Sequence, residues 1–251
     1  ADRYGRKLAD VPGGDVFLLS RIAMRLAEQG HWEAAAKIYE KVLAAPGGEK
    51  PAVTDFVIRL ELAKLYHLLD QDDKSAEHFA RVLEAMKHPE QSGLDDRLRK
   101  ELLNDPAPIY RLAGECFLGA NRVDAAKESF AKAHEAKPDK RLYAFDMARA
   151  ELAAKRSGEA IKQLQVYFDE RAHVEGVEPY ELLDKALKAS GKSGELAERL
   201  ERILAADPGN VALTYFLADH YRQAGKLDKA EKLYAGAIKK SPTLAGYRGL
   251  I

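Results

Sequence analysis

Seven histidines, one cysteine and a glycine-flanked Lys-Ser pair are the residues of this chain whose types could do chemistry. The histidines are His31, His67, His78, His88, His134, His173 and His220. His31 and His173 fall in predicted turns and His88 adjoins Pro89. No two histidines lie three or four residues apart on one predicted helix, so the two-histidine face of a helical zinc site is missing. Lys192-Ser193 lies between Gly191 and Gly194, but the GxxxxGK spacing of a phosphate loop is absent and no strand precedes it. A serine or cysteine nucleophile with an adjacent base cannot be assembled locally. Cys116, beside Phe117 on an apolar helical face, reads as a reduced packing residue, since a reactive or metal-binding thiol lacks partners in the sequence around it. The expectation is a chain with no catalytic residues, no metal and no cofactor.

The elements that would carry any site are helices. In Ala113 to Pro138, two apolar-periodic segments, Tyr110 to Leu118 and Val123 to His134, are joined by the short turn Gly119 to Arg122, and Pro138 ends the unit. The design returns in Thr214 to Pro242. Gly114 corresponds to Ala218, Phe117 to Tyr221, Ala126 to Ala230, Phe130 to Tyr234, Ala133 to Ala237 and Pro138 to Pro242. Self-similarity at a fixed period is the mark of a repeat array, in which each hairpin is too small to bury its apolar face alone and stacking completes the core. Six hairpins are predicted, at residues 16–47, 55–89, 109–139, 140–174, 177–209 and 210–242. A further helix is inserted at about 92–104, where Leu94, Leu98 and Leu102 recur every fourth residue. The fifth unit departs from its neighbours: Leu196 replaces the small residue that lets two helices approach, which predicts a locally altered packing angle. Trp32, the single tryptophan, stands at the start of a second helix and reads as a packing wedge.

Composition agrees with that architecture. The 251 residues are 46% hydrophobic and 32% charged, which suits a mostly helical array. Forty basic and forty acidic side chains give formal net charge zero, so no general nucleic-acid or acidic-membrane surface is implied. No apolar run approaches the roughly 20 residues of a membrane span, and no direct membrane insertion is expected. The opening ADRYGRKLADVPGGD lacks an initiator Met and any basic lead followed by an apolar signal, which leaves the compartment open. The closing TLAGYRGLI looks like the start of another hairpin, so the chain reads as a piece of something longer. Leu244, Tyr247, Leu250 and Ile251 there predict weak self-association through exposed repeat ends.

The array resembles the tetratricopeptide repeat family. In the sixth unit Leu217, Ala218, Tyr221, Gly225, Leu227, Ala230, Tyr234, Ala237 and Pro242 fall on the 34-residue family pattern. In the third, Tyr110, Ala113, Gly114, Phe117, Val123, Ala126, Phe130, Ala133 and Pro138 do so. The second departs from it with Ser75 at a small-residue site. This resemblance implies an all-α fold, a right-handed α-α superhelical solenoid of tandem helical hairpins, with a concave groove lined by the outward face of each first helix. Carried over position by position, the groove residues expected to touch a partner are Phe17, Met24, Lys64, Arg111, Phe145, Arg149, Lys185, Tyr215, Asp219 and Arg222. Tyr215, Phe145, Phe17 and Arg149 lead, since aromatics and Arg dominate binding energy where they are desolvated. The implied function is a scaffold binding a protein or peptide, with no nucleic acid. The alternative is a non-catalytic structural or regulatory repeat region of a larger multidomain enzyme. Ser20, Met24 and Glu61 stand where the family's chaperone-tail clamp has its Lys and Asn, which argues against that role.

Overall fold

One turn, used six times, folds this chain. Gly30, Asp70, Asn121, Lys155, Gly191 and Gly225 all adopt left-handed backbone, with φ between 54° and 78°. Each follows the first helix of a hairpin, and the next residue's N–H reaches back to the carbonyl of Leu26, Tyr66, Phe117, Glu151, Leu187 or Tyr221 at 2.7–2.9 Å. This is the Schellman closure, which satisfies carbonyls that the helix end would otherwise strand. Lys155 holds this conformation against the steric penalty of its Cβ, about 1–2 kcal/mol. Lys155→Gly is therefore expected to stabilise the chain by about 0.5–1 kcal/mol after the added backbone entropy is subtracted. Gly225→Lys should lose a similar amount, and chemical denaturation of the two variants checks the opposite signs.

The computed structural model describes residues 16–44, 52–89, 96–170 and 176–249. Those residues are helical with no strand. The helices are α1 (Val16–Glu28), α2 (Trp32–Ala44), α3 (Ala52–Leu68), α4 (Asp72–Lys87), α5 (Asp96–Asn104), α6 (Ala107–Gly119) and α7 (Val123–Ala136). They continue as α8 (Lys140–Ala153), α9 (Ser157–Asp169), α10 (Glu178–Ala189), α11 (Leu196–Ala206), α12 (Val211–Gln223), α13 (Leu227–Lys240) and α14 (Leu244–Gly249). No helix among the described residues is long and apolar enough to cross a membrane. The first part of the inserted segment, residues 92–95, lies outside the described residues, as do Leu250 and Ile251.

The chain forms two compact units, residues 1–138 and 139–251. In the first, α1–α2, α3–α4 and α6–α7 are antiparallel hairpins, and each second helix packs on the first helix of the hairpin that follows in the pairs α2 with α3 and α4 with α6. Ala23 and Ala35 are fully buried where α1 meets α2, and Ile38, Tyr39, Val42, Leu62 and Tyr66 fill the space around them. Trp32 is partly buried against the same cluster.

The second unit repeats the scheme with α8–α9, α10–α11 and α12–α13, and α14 rests on α13 and α12. An aromatic row threads it: the rings of Phe145 and Tyr167 lie 5.3 Å apart, Phe168 and Tyr180 5.6 Å, and Tyr180 and Phe216 5.9 Å. Rings at such separations add favourable quadrupole contacts to their buried area. The fifth hairpin differs from the others. A 3-10 turn, Ser193–Glu195, precedes α11, and Leu196 is buried where the other hairpins place a small residue, so α10 and α11 meet over a shorter stretch. A side chain of that volume holds the two backbones apart.

Candidate functional site

The first helices of the fifth and sixth hairpins, α10 and α12, face one another across a cleft of about 1000 Å³. On α10, Glu181, Lys185 and Lys188 recur at helical spacing along the wall, and on α12 Tyr215, Asp219 and Arg222 do the same. Val177 and Phe216 supply apolar surface. The four expected groove residues Lys185, Tyr215, Asp219 and Arg222 are thus brought to one place.

Most charges on the walls are already paired. Lys188 Nζ lies 2.6 Å from Asp184 Oδ2, and Arg222 Nη2 lies 3.4 Å from Asp219 Oδ1. Arg222 also donates from Nε to the Tyr234 hydroxyl at 3.3 Å, and that bond with the Asp219 carboxylate holds its pKa above the ordinary guanidinium value. Lys185 is exposed and has no acceptor among the described residues. It is the wall cation left to meet an anion. The Tyr215 hydroxyl donates to the Ser241 carbonyl at 2.9 Å, and Gly246 of α14 comes close to the same ring. One edge of Tyr215 therefore serves packing while another faces the cleft.

The remaining expected residues are spread along the first helices. On α8, Phe145 is only 8% exposed and belongs to the core, against Tyr167. Arg149, beside it, lies 3.9 Å from the buried carboxylate of Asp146. In the first unit, Phe17 and Met24 of α1 are 69% and 47% exposed, with the Arg21 guanidinium 5.8 Å from the Phe17 ring. Lys64 on α3 pairs with Glu61 at 2.8 Å, and Arg111 on α6 with Glu115 at 3.3 Å. These side chains are partly exposed but lie on the first helices of three successive hairpins rather than in one pocket.

Asp184, His220 and Phe216 also line the cleft and were not among the expected residues. Asp184 and His220 follow the spacing of their neighbours and were legible in principle. Phe216 was masked by its position next to Tyr215, because adjacent helical residues point about 100° apart and only one is assigned to a face. In the first unit, Cys116 is fully buried, and burial pushes its thiol up to about 11, so the uncharged thiol prevails at neutral pH. Its surroundings hold His67 and Asp72, the nearest approach to a metal-ligand set among the described residues.

The tetratricopeptide repeat family model matches residues 187–251, which span the end of α10 through α14. A search of curated proteins finds no match. Among solved structures, the protein MamA aligns with TM-score 0.54 and 14% identity over 77% of this chain and 92% of its own. A tetratricopeptide repeat protein from Parabacteroides merdae aligns with TM-score 0.53 and 15% identity over 98% of this chain and 86% of its own. The C-terminal part of a TPR repeat-containing protein from Cytophaga hutchinsonii gives 0.53 and 14% over 99% and 93%. Identities this low speak to fold, and the fold they share is the stacked helical hairpin. Residues 187–251 match the tetratricopeptide repeat, and the helical hairpins of the chain share the fold of solved tetratricopeptide-repeat structures.

Proposed function

We propose that the chain is a non-catalytic scaffold that seats an extended peptide segment of a protein partner in the cleft between α10 and α12. The observation that carries this reading is the cleft itself. It combines apolar surface from Val177 and Phe216 with an exposed lysine, Lys185. Apolar floor and a few oriented polar groups are what a peptide site needs, the first for affinity and the second for register. Lys185 favours a segment with a carboxylate side chain close to a large apolar one. A cleft open along its length suits an extended chain better than a small metabolite, which binds where most of its surface can be enclosed.

The reading is tested by selecting ligands for the full chain from a displayed random-peptide library and measuring the enriched peptides in solution. Enriched sequences should pair an acidic residue with an aromatic or large aliphatic one. Lys185→Glu should weaken them by about tenfold or more, as reversal of a central charge does. Tyr215→Ala should weaken them too, whereas Lys162→Glu, whose parent lysine pairs with Glu159 on α9, should leave affinity unchanged. Affinity indifferent to Lys185→Glu, with helicity intact, would count against the cleft. Parallel measurements on Arg149→Ala show whether the α8 face extends the footprint.

A further inference from the structure

We propose that His67, Asp72 and Cys116 form a binding site for a zinc ion that ties the α3–α4 hairpin to α6 of the hairpin after it. A ring nitrogen of His67, an Asp72 carboxylate oxygen and Cys116 Sγ all lie within 4.8 Å of one another, and His67 Nδ1 is 3.2 Å from Asp72 Oδ1. Tetrahedral zinc at its usual bond lengths separates such donors by about 3.3–3.6 Å. The His67–Asp72 pair is within about 0.1 Å of that range, and the thiol needs to close by about 1.5 Å at most.

The backbone explains why the three groups converge. His67 lies in the last turn of α3 and Asp72 opens α4, and the left-handed Asp70 between them turns the chain so that both side chains lie on one side of the hairpin. Cys116 comes from α6, which packs on α4. One turn beyond it stands Gly119, where a Cβ would fall 1.9 Å from Asp72 Oδ2. The Asp72 carboxylate therefore occupies space against α6 that a side chain at residue 119 would fill. It is held over the helix that carries the thiol rather than spread into solvent.

Electrostatics point to a cation. Cys116 is fully buried, and the charged groups acting on it, Asp72 and Glu115, are both acidic. A divalent ion would supply the positive charge that these neighbours lack. The donor set selects which ion. One nitrogen, one oxygen and one sulfur suit zinc, while magnesium and calcium take oxygen ligands. His67 and Asp72 are about one-third exposed, at 35% and 31%, which leaves a path from solvent and room for water as fourth ligand. Two repeats contribute ligands, so occupancy would stiffen the junction between them.

The test uses the full chain stripped with a chelator and titrated with Co2+ as a spectroscopic substitute for zinc. One equivalent should bind with a thiolate-to-cobalt charge-transfer band, and Zn2+ should displace it and raise the thermal midpoint. Cys116 is the single cysteine, so that band reports this site alone. Cys116→Ser should abolish the band. His67→Ala alters a residue about one-third exposed and should leave the fold intact while weakening binding by about tenfold or more, at least the loss seen when an outer-shell partner is removed. Absence of the band in the wild-type chain overturns the proposal, as does Zn2+ binding of equal strength in wild type and His67→Ala.

Discussion

Phe130→Ala is expected to lower the stability of the first unit by about 3–5 kcal/mol, the range for emptying a buried aromatic site. Phe130 of α7 is 1% exposed. Its ring lies over Gly114 of α6 so closely that a Cβ there would fall 2.5 Å from Cε1 and 2.6 Å from Cδ1. The glycine and the ring are one packing device: the helix gives up a side chain so that the phenyl group can reach its backbone. A double-mutant cycle exposes the pairing. Gly114→Ala alone forces a buried ring to move, at about 1–3 kcal/mol, only partly offset by the roughly 1 kcal/mol that alanine gains over glycine in a helix. In the Phe130→Ala background the obstacle is gone, and the same substitution should stabilise by about 1 kcal/mol. The sign of Gly114→Ala thus reverses between backgrounds. Urea melts of the four proteins measure it, and additive effects would show that the two sites do not act together.

Small residues at helix crossings are also what made the fold legible. Ala23, Ala35, Ala63, Ala76, Ala126, Ala148, Ala160, Ala218 and Ala230 are at most 2% exposed, each where two helices approach. Alanine is common on helix surfaces, but its return at fixed spacing between bulky apolar residues has few explanations other than close helix contact. Four residues that the family resemblance implied for a groove, Lys185, Tyr215, Asp219 and Arg222, line the cleft, and residues every third or fourth position on a first helix share a face whatever lies opposite. Contacts between distant parts of the chain were not legible. The burial of Phe145 depends on Tyr167 of the following helix, and the second role of Tyr215 depends on a carbonyl 26 residues away. His67, Asp72 and Cys116 show no local spacing at all, because two hairpins stacked on one another bring them together. Periodicity reports which face a residue takes, and only the packing reports what that face meets.

Asn210→Ala should cost about 2–4 kcal/mol, the sum of a lost helix cap and a stranded buried hydroxyl. Asn210 is 1% exposed and stands at the N-terminus of α12. Its Oδ1 accepts from the Leu213 N–H at 2.9 Å, while Nδ2 donates to the Tyr180 hydroxyl at 3.1 Å and to Asp207 Oδ2 at 3.1 Å. Tyr180 belongs to α10, so this amide joins the two helices that wall the cleft. Asp139 performs the capping half of the task for α8, accepting from Leu142 N–H at 2.8 Å, but in an exposed setting where a carboxylate stays solvated. The buried position calls for a neutral group that both accepts and donates. Asn210→Asp should therefore keep the cap, lose the donor and set a second carboxylate beside Asp207. Burial and that neighbour would raise the new carboxyl's pKa above its unfolded value, so the variant is most stable at acid pH and loses stability as pH rises through the folded pKa. Tyr180→Phe separates the two contributions: with no hydroxyl to strand, Asn210→Ala should cost only about 1 kcal/mol, the cap alone. An equal loss with and without the Tyr180 hydroxyl would show that the α10–α12 link contributes nothing.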